Sequence, residues 1–221
     1  MSRKPASLIG RGKEVAILNR EAKFTVKFWG VRGSIPCPGL AYHRYGGNTP
    51  CVEMSCGDKT LIFDAGTGLR SLGQELVKKG KIEAEIFFSH AHLDHIIGFP
   101  FFAPAFHPKN KFKIWSAVFD QQIPIKEVFK KLTSSPMFPV SFEIFNAQFD
   151  FLTFKPGDEI DVDEKISVST VELNHPQGAV GYRVNFAGKS VCYITDTEHK
   201  PGIIDQNIKN LVSGADVVIY D

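Results

Sequence analysis

The chain has 221 residues, of which 43% are hydrophobic and 23% charged, and this ordinary globular composition excludes a disordered or fibrous protein. The 26 basic and 24 acidic residues give a formal net charge of +2, so bulk positive charge does not indicate nucleic-acid binding. Four scattered cysteines are too few for a disulfide scaffold. Without a recognisable signal peptide or an apolar run of about 18 residues, we expect a cytoplasmic protein with reduced thiols and no membrane contact.

The first half of the chain predicts a basic arm followed by a strand-rich domain. Residues 1–23 are basic and weakly periodic, which predicts a loose arm or a short helix ahead of one domain spanning residues 24–221. A helix is predicted near 69–79, because three leucines share one face and Gly80 follows. Alternating and apolar runs predict strands near residues 24–29, 49–55, 60–63 and 85–89.

The second half of the chain begins with a segment rich in Phe and Pro, residues 99–154, and then returns to strands. Two groups of strands, each followed by helices, predict a layered α/β protein. The predicted elements of this half are helices near 125–132 and 203–211, and strands near 112–117, 166–173, 180–186, 190–195 and 215–220.

The densest polar cluster of the sequence, His90-Ala-His-Leu-Asp-His95, directly follows a predicted apolar strand. His90 and His92 are two residues apart, so they point the same way in extended backbone. If a helix begins near Leu93, Asp94 and His95 lie on its first turn and face the same point. Imidazole and carboxylate groups bind Zn²⁺, and also Mn²⁺ or Fe²⁺. This spacing predicts a metal site rather than a solvated polar loop.

Two further polar residues follow predicted strands later in the chain. His175 comes after the strand near 166–173, and Asp196 after the strand near 190–195. Each alone could be an ordinary turn residue. Because a layered α/β fold presents its site at strand ends, the histidine cluster favours the interpretation that both are metal ligands.

The histidine cluster, the isolated His175 and the strand-end Asp196 resemble the metallo-β-lactamase-fold hydrolases. Further segments resemble the phosphodiesterase-like branch of that family, which includes tRNA 3′-processing endonucleases and cyclic-phosphate phosphodiesterases. These segments are FWGVRGSIP (28–36), YGGNT (45–49), LIFDAGTG (61–68) and YITDTE (193–198). The resemblance runs from about Phe24 to Asp221.

The resemblance implies an αββα sandwich with two divalent metal ions at one edge and a metal-bound hydroxide as nucleophile. Zn²⁺ is the expected metal, with Mn²⁺ or Fe²⁺ as alternatives. Asp64 would orient a ligand histidine by accepting its other N–H, or would instead cap the following helix. The implied ligands are His90, His92 and His175 for the first ion, Asp94 and His95 for the second, and Asp196 as the bridge.

The function implied is hydrolysis of a small or cyclic phosphodiester, with Asp94 and His199 as candidate catalytic residues. Two positions stay open for His199. It could lie at the rim of the site, where it would protonate the leaving group, or it could be a surface residue without a role. Thioester or lactone hydrolysis is the alternative reaction. RNA processing is not favoured, because no lysine- or glycine-rich insertion that could grip RNA is visible. Arg32, Ser34 and Asn48 are candidates for contacts with a phosphate oxygen.

The ligand count of the second ion is one histidine short. Relatives supply that histidine beyond an acidic residue that Asp221 resembles, and His199 is too close to Asp196 to replace it. We therefore expect the chain to lack a C-terminal segment of the family. The second ion would then be weakly held, leaving a catalytically impaired binding module, unless the partner subunit of a homodimer donates the imidazole.

Overall fold

The computed structural model describes residues 13–19, 22–119 and 123–221. Within them, seven strands form the first sheet in sequential order, with antiparallel pairing up to β4 and parallel pairing from β4 to β7. The strands of this sheet are β1 (Lys13–Asn19), β2 (Ala22–Gly30), β3 (Cys51–Cys56), β4 (Lys59–Phe63), β5 (Glu83–Phe88), β6 (Lys111–Ala117) and β7 (Gln148–Phe154).

The second sheet of the described chain has five strands in the order β12-β11-β10-β9-β8, of which only β11 and β12 pair in parallel. Its strands are β8 (Glu159–Asp163), β9 (Ile166–Leu173), β10 (Ala179–Phe186), β11 (Lys189–Ile194) and β12 (Val217–Tyr220). The α-helices are α1 (Gly68–Val77), α2 (Leu93–Ile96), α3 (Ile125–Leu132) and α4 (Gln206–Val212).

The core has three layers of buried apolar side chains, which make the molecule an αββα sandwich. Between the two sheets, Phe63 and Phe87 of the first sheet pack against Tyr182 of the second. On the outer face of the first sheet, the apolar faces of α1 and α3 cover its strands. On the outer face of the second sheet, Ile208 and Leu211 of α4 pack on β9, β10 and β11. The predicted layered α/β fold is confirmed.

The predicted elements from residue 24 onward are present, with small shifts at their ends. The last helix begins at Gln206 instead of near residue 203, because the Asp205 carboxylate caps it by accepting the N–H groups of Asn207 and Ile208. Strands β7 and β8 were missed, although Phe149 and Phe151 alternate with polar residues in β7.

The basic N-terminal segment is not a loose arm or a short helix where the structure describes it. Residues 13–19 form strand β1, antiparallel to β2 in a register that joins Lys13 to Phe28 and Asn19 to Ala22. The β-branched Val15 and Ile17 alternate with other residues, which suits an extended backbone. Residues 1–12 and 20–21 lie outside the described residues, and the boundary between an arm and a domain stays a prediction.

No helix in the described part of the chain combines the length and the apolar character that crossing a bilayer requires.

Candidate metal centre

Four strand ends from both sheets meet at one edge of the sandwich and carry the predicted site residues. Asp64 follows β4, the cluster from His90 to His95 follows β5, His175 follows β9, and Asp196 follows β11. The sheets are joined at this edge, because the Val180 N–H donates to the Ser89 carbonyl across 2.9 Å. Residues far apart in the chain can therefore converge.

The first donor group consists of His90, His92 and His175, each with one ring nitrogen within 4.8 Å of the others. Their ring centroids lie 4.5 to 4.9 Å apart. The His175 Nε2 and His92 Nδ1 atoms approach to 3.0 Å. Three imidazoles converging on one point are a typical first set of zinc ligands.

The second donor group consists of His90, His95 and Asp196. The Asp196 Oδ2 atom lies 2.8 Å from His95 Nε2 and 3.3 Å from His90 Nε2. Despite these short distances, neither Nε2 atom has a partner in hydrogen-bonding geometry, and both are buried. Buried ring nitrogens without hydrogen bonds are costly unless a cation fills the space between them. The described residues therefore fit divalent metal ions.

Asp94 falls outside both donor groups but lies beside the second. Its Oδ2 atom is 3.5 Å from His95 Nε2 and accepts a hydrogen bond from the Ser34 N–H at 2.9 Å. Short helix α2 places Asp94 and His95 on one turn, as the sequence predicted, with His95 fully buried and Asp94 half-buried. Asp94 therefore borders the second group without belonging to it.

Asp64 is the buried anchor of the site and orients two of the histidines. Its Oδ2 atom accepts the His95 Nδ1–H at 2.8 Å, which leaves the Nε2 lone pair free for a metal. The same carboxylate accepts the Ser89 hydroxyl, so Ser89 Oγ must in turn accept the Nδ1–H of His90 at 3.0 Å. The Tyr193 hydroxyl also donates to Asp64. Asp64 thus accepts the N–H of a histidine, as predicted, and it does not cap α1; that this histidine is a metal ligand stays a prediction.

The electrostatics of the cluster favour a cation. Burial lowers the pKa of His90 to about 4, and His95 adds to this shift. Burial opposes the charging of His95 too, but the carboxylates of Asp64 and Asp196 outweigh it and raise its pKa to about 12. The neighbouring His95 imidazole, 3.5 Å away, and the Ser34 N–H lower the pKa of Asp94. At neutral pH the cluster thus contains a neutral His90 and an ionised Asp94, and a bound metal would displace the proton of His95.

The backbone is strained at this edge. Five described residues other than glycine have a left-handed φ, and Ala187 is in a hairpin turn remote from the site. The other four belong to the site or contact it directly: Ser34 (φ 69°), Asp64 (61°), Gln177 (67°) and Asp196 (53°). Such clustering is typical of functional sites, where the surrounding structure holds an unfavourable conformation.

The structure shows the positions of three residues whose predicted roles rested on weaker patterns. His199 is exposed, and its ring stacks on Tyr220 with a centroid distance of 5.8 Å outside both donor groups. The Asn48 amide accepts from the Thr67 hydroxyl and donates to the Trp29 carbonyl, so it holds the glycine-rich turn. The exposed Arg32 guanidinium lies over the Tyr42 ring.

Sequence reasoning missed the roles of Ser89, Tyr193 and Gln177. Tyr193 lies within the YITDTE segment and Ser89 directly precedes the histidine cluster, but nothing in the sequence indicated that both hydroxyls donate to Asp64. Gln177 carries no signal in the sequence at all. Its Oε1 atom lies 2.9 Å from His92 Nε2.

A cavity of about 330 Å³ opens beside the first donor group. It is walled by Ile123 and Val128 on one side and by the turn after His175 on another. No lysine or arginine is among the described residues that line it. Its size is that of a small-molecule site.

Comparison with known proteins places the chain in a family. Residues 59–221, well over half of the chain, match the Beta-lactamase superfamily domain. A search of curated proteins finds no match.

Solved structures share the fold at low sequence identity. The metallo-beta-lactamase fold protein YhfI from Bacillus subtilis is 20% identical with a TM-score of 0.57, over 80% of this chain. This chain spans 63% of the length of YhfI. The short form of human tRNase Z is 17% identical with a TM-score of 0.59, over 87% of this chain and 76% of that one. A diphosphatase from the PhnP family is 17% identical with a TM-score of 0.58, over 93% of this chain and 73% of that one.

The matched domain, the αββα sandwich and the strand-end histidine cluster agree with one another and with the resemblance seen in the sequence. The chain belongs to the beta-lactamase superfamily, with the metallo-β-lactamase fold.

Proposed function

We propose that this protein is a metal-dependent hydrolase of a small or cyclic phosphodiester. The observation that carries the proposal is the pair of donor groups that share His90, with buried Nε2 atoms of His90 and His95 that lack any hydrogen-bond partner. Bound divalent cations would lower the pKa of a water molecule and stabilise negative charge on phosphate oxygens.

The residues of the chain prepare this site in three ways. The Asp64 carboxylate and the Ser89 hydroxyl accept the Nδ1–H groups of His95 and His90. The lone pairs of both rings are thereby directed to Nε2, where a metal would bind. Asp196, with Oδ2 between the two Nε2 atoms, would contact both ions if two are bound. Asp94 would extend the second group, since it is ionised and 3.5 Å from His95. Zinc suits this set of imidazole and carboxylate ligands.

A small phosphodiester is the proposed substrate, and separate observations support the type of bond and the size. Structural neighbours include a protein named as a tRNase Z and one named as a diphosphatase. Both names describe enzymes that cleave bonds to phosphorus. The cavity beside His90 and His92 is of small-molecule size, and the described residues around it offer no cationic groove for a nucleic acid. These grounds support a small substrate in preference to RNA.

The test is turnover of a chromogenic bis-aryl phosphodiester by zinc-loaded protein, with and without a chelator. We expect turnover that the chelator abolishes, that added zinc restores, and that His90→Ala lacks. A parallel panel of thioesters and lactones decides the class of bond. Absence of chelator-sensitive phosphodiesterase activity in metal-loaded protein, or faster turnover of thioesters, would overturn the proposal.

A further inference from the structure

His92 is oriented differently from the other histidines of the site. His90 and His95 depend on the buried Asp64, whereas His92 Nε2 faces the side chain of Gln177 at 2.9 Å. The opposite ring nitrogen, Nδ1, lies within the first donor group, 3.0 Å from His175 Nε2. One edge of the His92 ring therefore faces the donor group, and the other faces a carboxamide oxygen.

The turn that carries Gln177 is closed by a backbone hydrogen bond and packs against Phe119. The Gly178 N–H donates to the His175 carbonyl at 2.9 Å, and Gly178 has a φ of 87°. A Cβ atom at Gly178 would lie 2.6 Å from the Phe119 ring, so this position requires glycine. Gln177 itself has a left-handed φ of 67°. A strained, tightly packed turn thus fixes the backbone from which the Gln177 side chain reaches His92.

The protonation of the His92 ring follows from these contacts. An amide oxygen only accepts hydrogen bonds, so the form of neutral His92 that bonds to Gln177 Oε1 carries its proton on Nε2. The lone pair then lies on Nδ1, which faces His90 and His175. The other neutral form of the ring would carry its proton on Nδ1 and would direct no lone pair toward the donor group.

We propose that Gln177 is a positioning residue that fixes the Nε2–H form of His92 and so directs Nδ1 to the metal of the first donor group. The inference rests on the proposed metal site. One turn, between β9 and β10, then supplies both a ligand, His175, and the group that orients a second ligand, His92. Loss of an orienting partner typically weakens metal binding 10- to 100-fold. Since Gln177 is exposed, we expect the lower end of that range.

The first experiment measures zinc affinity by competition with a chromophoric chelator. We expect Gln177→Ala to weaken the tighter site about tenfold. Gln177→Glu should retain wild-type affinity or exceed it, because a carboxylate accepts the same proton. Both variants keep a Cβ atom at the left-handed position, so backbone strain is matched. Gln206→Ala, an exposed glutamine on α4, is the control and should match wild type. Equal affinity of Gln177→Ala and wild type would overturn the inference.

The second experiment does not depend on metal. Long-range ¹⁵N NMR of the histidines in metal-free protein, at a pH where His92 is neutral, reports which ring nitrogen carries the proton. We expect the Nε2–H form in wild type and in Gln177→Glu, and a mixture of both forms in Gln177→Ala. A wild-type His92 protonated on Nδ1 would overturn the inference. If the protein binds no zinc at all, the proposed function fails, while this spectrum still decides the role of Gln177.

Discussion

Replacing Asp64 by asparagine tests how the site holds its histidines. Asparagine has the same shape and tolerates the left-handed φ of 61° at this position, so the backbone is preserved. The amide oxygen of the new side chain can still accept the Ser89 N–H, as Asp64 Oδ1 does at 2.8 Å. The amide nitrogen would then face the three groups that now donate to the carboxylate: the Ser89 hydroxyl, His95 Nδ1–H and the Tyr193 hydroxyl.

The expected size of the effect follows from counting donors. A side-chain amide has two N–H groups, so at most two of the three neighbours can switch to accepting, and one buried polar group is left unpaired. One such group costs about 2 kcal/mol. For a chain of this length that lowers the Tm by about 4–8 °C. If His95 switches, its proton moves to Nε2, the atom beside Asp196, and metal affinity falls at least about tenfold.

Calorimetry on metal-free protein and zinc titration of the same samples measure the two effects separately. Asp163→Asn is the matched control, because Asp163 accepts the N–H groups of Lys165 and Ile166 at the far end of β9 from His175. The control should leave zinc affinity unchanged. Wild-type zinc affinity in Asp64→Asn would refute the reasoning, because the carboxylate would then have no part in orienting the ligands.

Three other outcomes are expected. Asp94→Ala should lower the metal content of the second group and leave the Tm nearly unchanged, because Asp94 contributes little packing; equal metal content in mutant and wild type would refute its assignment. His92→Ala should reduce zinc binding more than His199→Ala, since His199 stacks on Tyr220 outside both donor groups; the reverse order would show that the assignment is wrong. In native protein only the thiol of half-buried Cys37 should react rapidly with a disulfide reagent, because burial raises the pKa of the other three thiols. Rapid reaction of all four thiols without denaturant would contradict the packing of the core.

Much of the arrangement of the candidate ligands could be predicted because it is local in sequence. His90, His92, Asp94 and His95 lie within six residues after a strand, and strand periodicity alone turns the first two the same way. The leucine spacing of α1 predicted its buried face in the same manner. Local pattern carries this information because helix and strand geometry convert spacing directly into direction.

The supporting contacts could not be predicted in this way, because they join distant parts of the chain. Tyr193 and Asp64 are 129 positions apart, and Gln177 and His92 are 85 positions apart. Such pairs depend on how the two sheets stack, which periodicity does not specify. Strand β8 was missed for a different reason: it is five residues long and rich in acidic side chains, which are uncommon in strands.

The most direct test of the account is a crystal structure of the zinc-loaded chain with anomalous diffraction recorded at the zinc edge. The account predicts an anomalous peak within about 2.0–2.2 Å of one ring nitrogen each of His90, His92 and His175. A second ion would lie against His95 and Asp196. A zinc-saturated crystal with no peak among these side chains, or with zinc bound only elsewhere on the chain, would contradict the claim that this edge of the sandwich is a metal-dependent active site.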